Sequence, residues 1–188
     1  VKRVLRVREI YSIELLECSD KLALIHVHCQ HGTYIRKLVS DVCEILGVKG
    51  EMAELRRTRS GPFKEDNAVK LQDVVDDYEF WKVGKGDLNF LLPMEYGVSH
   101  LPKIVVKTGA VSALCHGAQL ARPGIEKMDH FRKNAMVALF TEKGELIGLA
   151  QSLFSSEQIK TMKKGIVAKT LTIVMEKERY PRMWHGGK

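Results

Sequence analysis

No Cys-x-x-Cys pair occurs in the 188 residues, and the four cysteines, Cys18, Cys29, Cys43 and Cys115, stand far apart. That spacing argues against a disulfide framework and for thiols kept as ordinary buried residues in a reducing compartment. No apolar run reaches the length of a membrane span, so no membrane association is expected. The opening stretch VKRVLRVRE has no long apolar core of the kind that a secretory signal carries. It also lacks an initiator Met and begins as if inside a strand, so the expectation is that Val1 is not a natural start. Walker loop, GxSxG and HExxH signatures are missing, as are internal repeats and low-complexity segments.

Positive charge, by contrast, is plentiful. The net charge is +7 and the pI ≈ 9.2. An excess of that size favours a polyanionic partner, nucleic acid foremost, through phosphate contacts and counterion release. Solubility alone is the plain alternative. Hydrophobic residues at 45% and charged ones at 28% belong to a folded globular chain, long enough for one domain or two small ones.

Hydrophobic periodicity orders the chain. Residues 4–17 are rich in β-branched and large apolar side chains and read as one long strand or two short ones. CSDK (18–21) is turn-like. LALIHVHC (22–29) alternates, with Ala23, Ile25, Val27 and Cys29 on one face and Leu22, Leu24, His26 and His28 on the other. From Ile35 the apolar residues Leu38, Val39, Val42, Ile45 and Leu46 fall at helix spacing, which predicts a helix over 33–46 with Thr33 as N-cap. A second helix is expected over 67–81, and the glycine- and proline-broken stretch 82–102 reads as a connection. Beyond it come a strand at 103–107, a short helix at 108–118, a turn at 122–125, a hairpin over 135–153 and a final strand at 165–178. Short strands with one early helix predict a compact β-barrel.

Four stretches carry groups suited to chemistry. HVHCQH places His26, His28, Cys29 and His31 together, a composition that suits zinc. Strand geometry turns Cys29 away from the two histidines, so sheet-face histidines are the plainer reading and no metal is expected. ELRRTRSGPF brings Arg56, Arg57 and Arg59 within four residues, and clustered guanidiniums make planar, bidentate bonds to phosphate. A solvated basic face is the alternative there. GAVSALCHGAQLARPGI (109–125) sets glycines near Ser112, His116 and Arg122, where backbone can approach a polyanion. Gly117 as a helix C-cap and Gly124 as a turn residue is the competing reading. Finally, Arg36 and Lys37 fall in the first turn of the 33–46 helix, where the dipole is positive and a cation is misplaced by roughly 0.3–1 kcal/mol. Arg36 therefore calls for an anion.

GTYIRKL, then ELRRTRSGPF, then VKTGAVSALCHGA, then YPRMW, taken in order, resemble the RNA pseudouridine synthases of the TruB and dyskerin type. The resemblance runs over nearly the whole chain and is strongest to the archaeal, dyskerin-like catalytic subunits of box H/ACA ribonucleoproteins. It implies an α+β fold, in which 1–95 is the C-terminal part of a mixed-sheet catalytic domain. It further implies a small β-barrel PUA domain at 101–178 and a tail at 179–188. It makes Arg36 the partner of a nucleophilic aspartate, Tyr34 a wall of the uracil pocket and Leu55 a neighbour of the flipped base. Lys2, Arg56, Arg57 and Arg59 would follow the RNA, while Lys107, Gly109, Ser112, His116, Gly117 and Arg122 would hold the ACA end of a guide RNA or the CCA end of tRNA.

Two departures accompany the resemblance. The family's aspartate and its tyrosine-bearing motif lie upstream of Val1, so the anion awaited by Arg36 is expected on polypeptide outside these residues. Gly50-Glu51-Met52 also stands where the family often has Ala-His. The implied function is isomerisation of uridine to pseudouridine in rRNA or tRNA, without a cofactor and with H/ACA guide RNA and small H/ACA proteins as partners. The implied location is the cytoplasm of an archaeon, or the nucleolus of a eukaryote. This chain alone is expected to be inactive, and a non-catalytic RNA-binding piece is the alternative. Arg36 is the test: it should be neither clasped by an acid of this chain nor turned to open solvent.

Overall fold

A computed structural model describes residues 7–182. Lys2 and the Met183-Trp184 end of YPRMW lie outside them. The chain divides between Arg56 and Arg57 into two compact units.

The first unit opens on an antiparallel hairpin. β1 (Ile10–Cys18) pairs with β2 (Ala23–Cys29), Ile13 opposite Val27 and Leu15 opposite Ile25. The Ser19 N–H and hydroxyl both donate to the Leu22 carbonyl, closing the turn. Ile25, Val27 and Cys29 are half-buried while Leu24, His26 and His28 are exposed, so the alternation divides the faces as expected. α1 (Ile35–Leu46) comes next, two residues later than the spacing predicts. Thr33 is not its cap. With Gly32 in the left-handed region, Thr33 is drawn into a turn in which its N–H (3.3 Å) and hydroxyl (2.6 Å) donate to the Gln30 carbonyl. The N-cap is Tyr34, which offers the helix no side-chain acceptor. At the other end, Gly47 and Val48 donate back to Glu44 and Cys43, the paired closure that satisfies two of the last carbonyls.

In the second unit, β3 (Arg59–Ser60) and β4 (Phe63–Lys64) form a minimal hairpin about Gly61-Pro62. α2 (Leu71–Lys82) begins later than predicted, because Glu65–Asn67 forms a separate 3-10 turn. α3 (Met94–Gly97) is a single turn inside the expected connection. Its Glu95 carboxylate accepts from the Leu146 N–H at 2.9 Å, tying the connection to a strand of the barrel.

The remaining residues build the only closed core among the described residues. β5 (Lys103–Val106) leads to α4 (Thr108–Cys115), β6 (Leu120–Ala121), β7 (Ile125–Met128), β8 (Met136–Thr141), β9 (Leu146–Ser152), α5 (Ser156–Thr161) and β10 (Ile166–Ile173). The strand order is β6-β10-β9-β8-β5-β7, antiparallel except for the parallel β5–β8 pair. Its two edge strands are consecutive in sequence and joined by the three-residue turn Arg122–Gly124. Three residues cannot span a flat six-stranded sheet, so the sheet must curl until its edges meet, which gives the expected barrel. Ile104, Val106, Leu139, Ile147 and Val167 fill the interior, with Val111 and Leu114 of α4 and Ile159 of α5 packed in. Gly148 permits the tightest strand approach: a Cβ there would stand 2.1 Å from the Thr172 carbonyl oxygen, next to the register shift in β10.

Two features differ from the sequence reading of this half. α5 is a helix that the periodicity does not reveal; it is opened by a capping box in which Ser155 and Gln158 satisfy each other's backbone N–H groups. β10 ends at Ile173, five residues short of the predicted strand, because Val174 and Met175 both turn their N–H groups to the Ile147 carbonyl.

Candidate nucleic-acid interface

In the first unit, Arg36 lies in the opening turn of α1, exposed, and its guanidinium makes no ion pair among the described residues. Lys37 beside it takes Asp41, four residues on, and that carboxylate holds the ammonium's pKa up. No acid among the described residues pairs with Arg36, but the shelter from open solvent expected for it is not found: Arg36 is exposed. The physical reason is general to the region, where no described residue before Ile104 is buried, large apolar ones included. Tyr34 is 82% exposed beside an open hollow of about 410 Å³, lined by it, Arg8, His31, Gly32 and Thr33. Leu55 is also exposed. Across the hairpin His28 packs its ring on Tyr11 at 4.9 Å, and His26 stands opposite Glu14.

Arg56, Arg57 and Arg59 are all exposed. Arg59 donates its Nε–H to the Gly61 carbonyl at 2.8 Å, which fixes the stem of the side chain.

In the barrel, α4 gathers most of the remaining residues. Its N-terminus already holds a carboxylate of this chain: Glu142 accepts the Thr108 N–H (2.9 Å) and the Thr108 hydroxyl. These bonds, the hydroxyl's foremost, hold Glu142 below the usual carboxylate range. Lys107, just before the helix, pairs loosely with Glu126 at 3.8 Å. Gly109 faces open space. Ser112 is buried, and its hydroxyl is the only buried side-chain polar group among the described residues without a hydrogen-bond partner.

The helix ends at His116, after which Gly117, at φ +94°, and Ala118 donate to Leu114 and Ala113. Gly117 is thus a helix-closing glycine, as the plainer reading held, and open space adjoins it. Arg122 is half-buried and donates its Nε–H to the Ile159 carbonyl at 2.9 Å, so part of its guanidinium serves the barrel.

The tail contributes groups that the sequence did not single out. Tyr180 is buried, its hydroxyl donating to Glu145, and Arg179 adds an ion pair to the same carboxylate at 2.9 Å. Tyr180 first, then Arg179, holds the Glu145 carboxyl below its ordinary range. Two residues on, Arg182 reaches His116 at 2.7 Å. The signal was there in YPRMW, but nothing in that string says which residue it meets.

Comparison with known proteins agrees with this arrangement. Residues 102–174 match the PUA domain, and residues 36–99 match the tRNA pseudouridylate synthase B C-terminal domain. A probable tRNA pseudouridine synthase B from Pyrobaculum calidifontis is 50% identical over all of this chain and 58% of its own length. One from Methanosarcina barkeri is 46% identical over 98% of this chain and 56% of its own. Among solved structures, a chain of a Cbf5-Nop10-Gar1 complex superposes with a TM-score of 0.88 at 42% identity, covering 96% of this chain and 56% of that one. A chain of an H/ACA RNP bound to a substrate RNA containing 2'-deoxyuridine gives 0.85 at 41%, over 98% and 60%. The 188 residues thus span somewhat more than half the length of the relatives they match. An α+β chain with a synthase C-terminal region followed by a PUA barrel, similar over its whole length to these proteins, belongs to the TruB-type pseudouridine synthases of the Cbf5-like branch.

Proposed function

We propose that this chain forms part of an enzyme that isomerises uridine to pseudouridine in RNA. The observation that carries the reading is the likeness over the whole chain, in which both the synthase region and the PUA barrel take part. In that reaction the N1–C1′ glycosidic bond breaks, the uracil turns, and C5 bonds to C1′. C5 then loses its proton and N1 gains one, so there is no net redox change and no cofactor is called for. The target nucleotide leaves its stack at a cost of a few kcal/mol, offset by pocket contacts.

Arg36 would keep a nucleophilic aspartate ionised and oriented, since a nearby cation favours the charged carboxylate. Its lack of an ion pair among the described residues leaves it available for that role. No acid of the described residues takes the aspartate's place, so the carboxylate is sought outside this sequence. Tyr34 and Leu55, both exposed, would flank the base. Arg56, Arg57 and Arg59 would follow the phosphates, and Lys107, Gly109, Ser112, His116, Gly117 and Arg122 would hold the RNA 3′ end. We read 1–95 as catalytic-domain sequence, 101–178 as the PUA domain and 179–188 as its tail. The partners are H/ACA guide RNA, rRNA or tRNA substrate and the small H/ACA proteins. No helix among the described residues is long and apolar enough to cross a membrane, and the archaeal relatives support work in the cytoplasm.

The test is uridine isomerisation by the full-length protein with its RNA, and by the same protein carrying Arg36→Ala. Turnover is expected to vanish while guide-RNA binding stays nearly intact. Equal loss of both would make Arg36 an RNA contact, and turnover by the 188 residues alone would overturn the assignment. The concentration of the buried residues, among those described, in the second half favours one further reading, a non-catalytic RNA-binding piece. It predicts no turnover even when the upstream segment is supplied.

A further inference from the structure

Resting on the RNA-binding reading of the barrel, we infer that Arg182, in the tail beyond the region matching the PUA domain, is the group that touches RNA phosphate at this end of α4. His116 is then its positioning residue rather than a direct contact. The hydrogen bonds of the imidazole lead to this. Nδ1 lies 2.8 Å from the Ser112 carbonyl oxygen. A carbonyl can only accept, so Nδ1 carries the proton and donates. Nε2 is then left with its lone pair, and the Arg182 guanidinium, a donor at every nitrogen, fills it at 2.7 Å. Both ring nitrogens are spent inside the protein, and the His116 side chain is only 28% exposed. It has no hydrogen-bonding capacity left for a nucleotide.

Arg182 is in the opposite condition. Its side chain is 62% exposed, and one of its five N–H groups suffices for His116. The other four N–H groups remain on a side chain that is mostly open to solvent. The tail is not loosely placed there: Tyr180, buried and bonded to Glu145, anchors it two residues earlier. Among the described residues Glu178 is the one acid within ion-pair reach of the two, 3.8 Å from Nε2 and 4.0 Å from the guanidinium, and it is itself 82% exposed. At that separation it is a loose counter-charge that a phosphate, with two acceptors for a planar fork, would displace.

The experiment measures the affinity of the full-length protein for a labelled RNA hairpin with a single-stranded 3′-ACA tail, over a range of salt concentrations. Arg182→Ala should weaken binding about tenfold and lower the slope of log K against log salt by about 0.7, the loss of one single-strand phosphate contact. His116→Phe, which keeps a ring but removes the acceptor, should behave like Arg182→Ala. His116→Gln, which keeps an acceptor near Nε2, should bind close to wild type. Adding His116→Phe to Arg182→Ala should change nothing more, because the histidine acts through the arginine. Glu178→Gln should tighten binding. If Arg182→Ala leaves affinity and salt slope unchanged, or if Phe preserves binding and Gln loses it, His116 meets the RNA itself and the inference fails. If the wild-type protein shows no salt-dependent binding to this hairpin, the inference falls together with the RNA-binding reading of the barrel.

Discussion

Residues 7–100 and residues 101–182 carry comparable hydrophobic patterning and put it to opposite use. In the barrel the pattern is consumed: every buried side chain among the described residues lies between Ile104 and Tyr180. In α1 the same kind of spacing makes a strongly one-sided helix, yet none of its residues is buried, and Ile45 and Leu46 are largely exposed. Leu15, Leu16, Leu22 and Leu24 of the hairpin are exposed as well. Periodicity therefore specifies a face, not a core. A face becomes a core only when a second layer arrives, as α4 and α5 arrive on the barrel sheet. In the first region the described residues supply no such layer, and exposed apolar surface of that kind is typical of interaction sites.

The largest effect expected from this comparison is a core truncation. Ile147→Ala removes a fully buried side chain from the barrel and should cost about 2–5 kcal/mol. Urea unfolding monitored by circular dichroism should show a lower midpoint with an unchanged slope. A loss below about 1 kcal/mol would mean that the barrel core can collapse around the gap, and would blunt the contrast between the regions.

A smaller effect concerns the tail that locks onto the barrel. The Glu145 carboxyl is held below its ordinary value, first by the Tyr180 hydroxyl and then by Arg179. A carboxyl depressed in the folded state contributes stability above its unfolded value of about 4.3 and loses it as the pH falls through the folded value. The wild-type melting temperature should therefore exceed that of Tyr180→Phe at pH 7, and the gap should narrow on acidification below about pH 4.3. No gap at any pH would show that Tyr180 stabilises through its ring alone, and a gap that stayed constant would show that its hydroxyl contributes independently of the Glu145 charge.

How far the sequence revealed this architecture obeys the same division between local and distant causes. α1, α4, the β1–β2 and β8–β9 hairpins and the curled barrel were legible, because spacing and turn residues are local signals. Thr33 was misread as a cap because a hydroxyl beside a glycine fits a turn as well as a helix start, and the Gln30 carbonyl captured it. β6 and β7 are two and four residues long and exist only through their partners, so no window on the sequence could announce them. α5 was detectable in principle from Ser155-x-x-Gln158, a capping box without the apolar run that would extend it in a longer helix. The pairing of His116 with Arg182, 66 residues apart, was beyond reach. Charge and glycine content marked the right stretch at 109–125, but which nitrogen is free is a matter of three-dimensional contacts.

That capping box supplies the next prediction. Ser155→Ala deletes the acceptor for the Gln158 N–H and should cost about 1 kcal/mol. It should lower the thermal midpoint of the barrel by less than Ile147→Ala does. If the cost matched the core truncation, α5 would be nucleating the fold around Ile159 rather than decorating it.

The smallest effect should come from the strongest apolar pattern. Leu46 lies on the apolar stripe of α1 and is 67% exposed, so Leu46→Ala in the 188-residue chain should change stability by no more than about 0.5 kcal/mol. Alanine's better helix propensity opposes even that loss. The same substitution in the full-length protein is the sharper measurement. There, burial of Leu46 by a covering segment should raise the cost toward the roughly 2–5 kcal/mol of a core position, to within about a factor of two. A cost that stayed near zero in both would mean that the α1 face is solvated in the working protein. The first region would then be an exposed platform, and Arg36 would have to find its anion in the RNA.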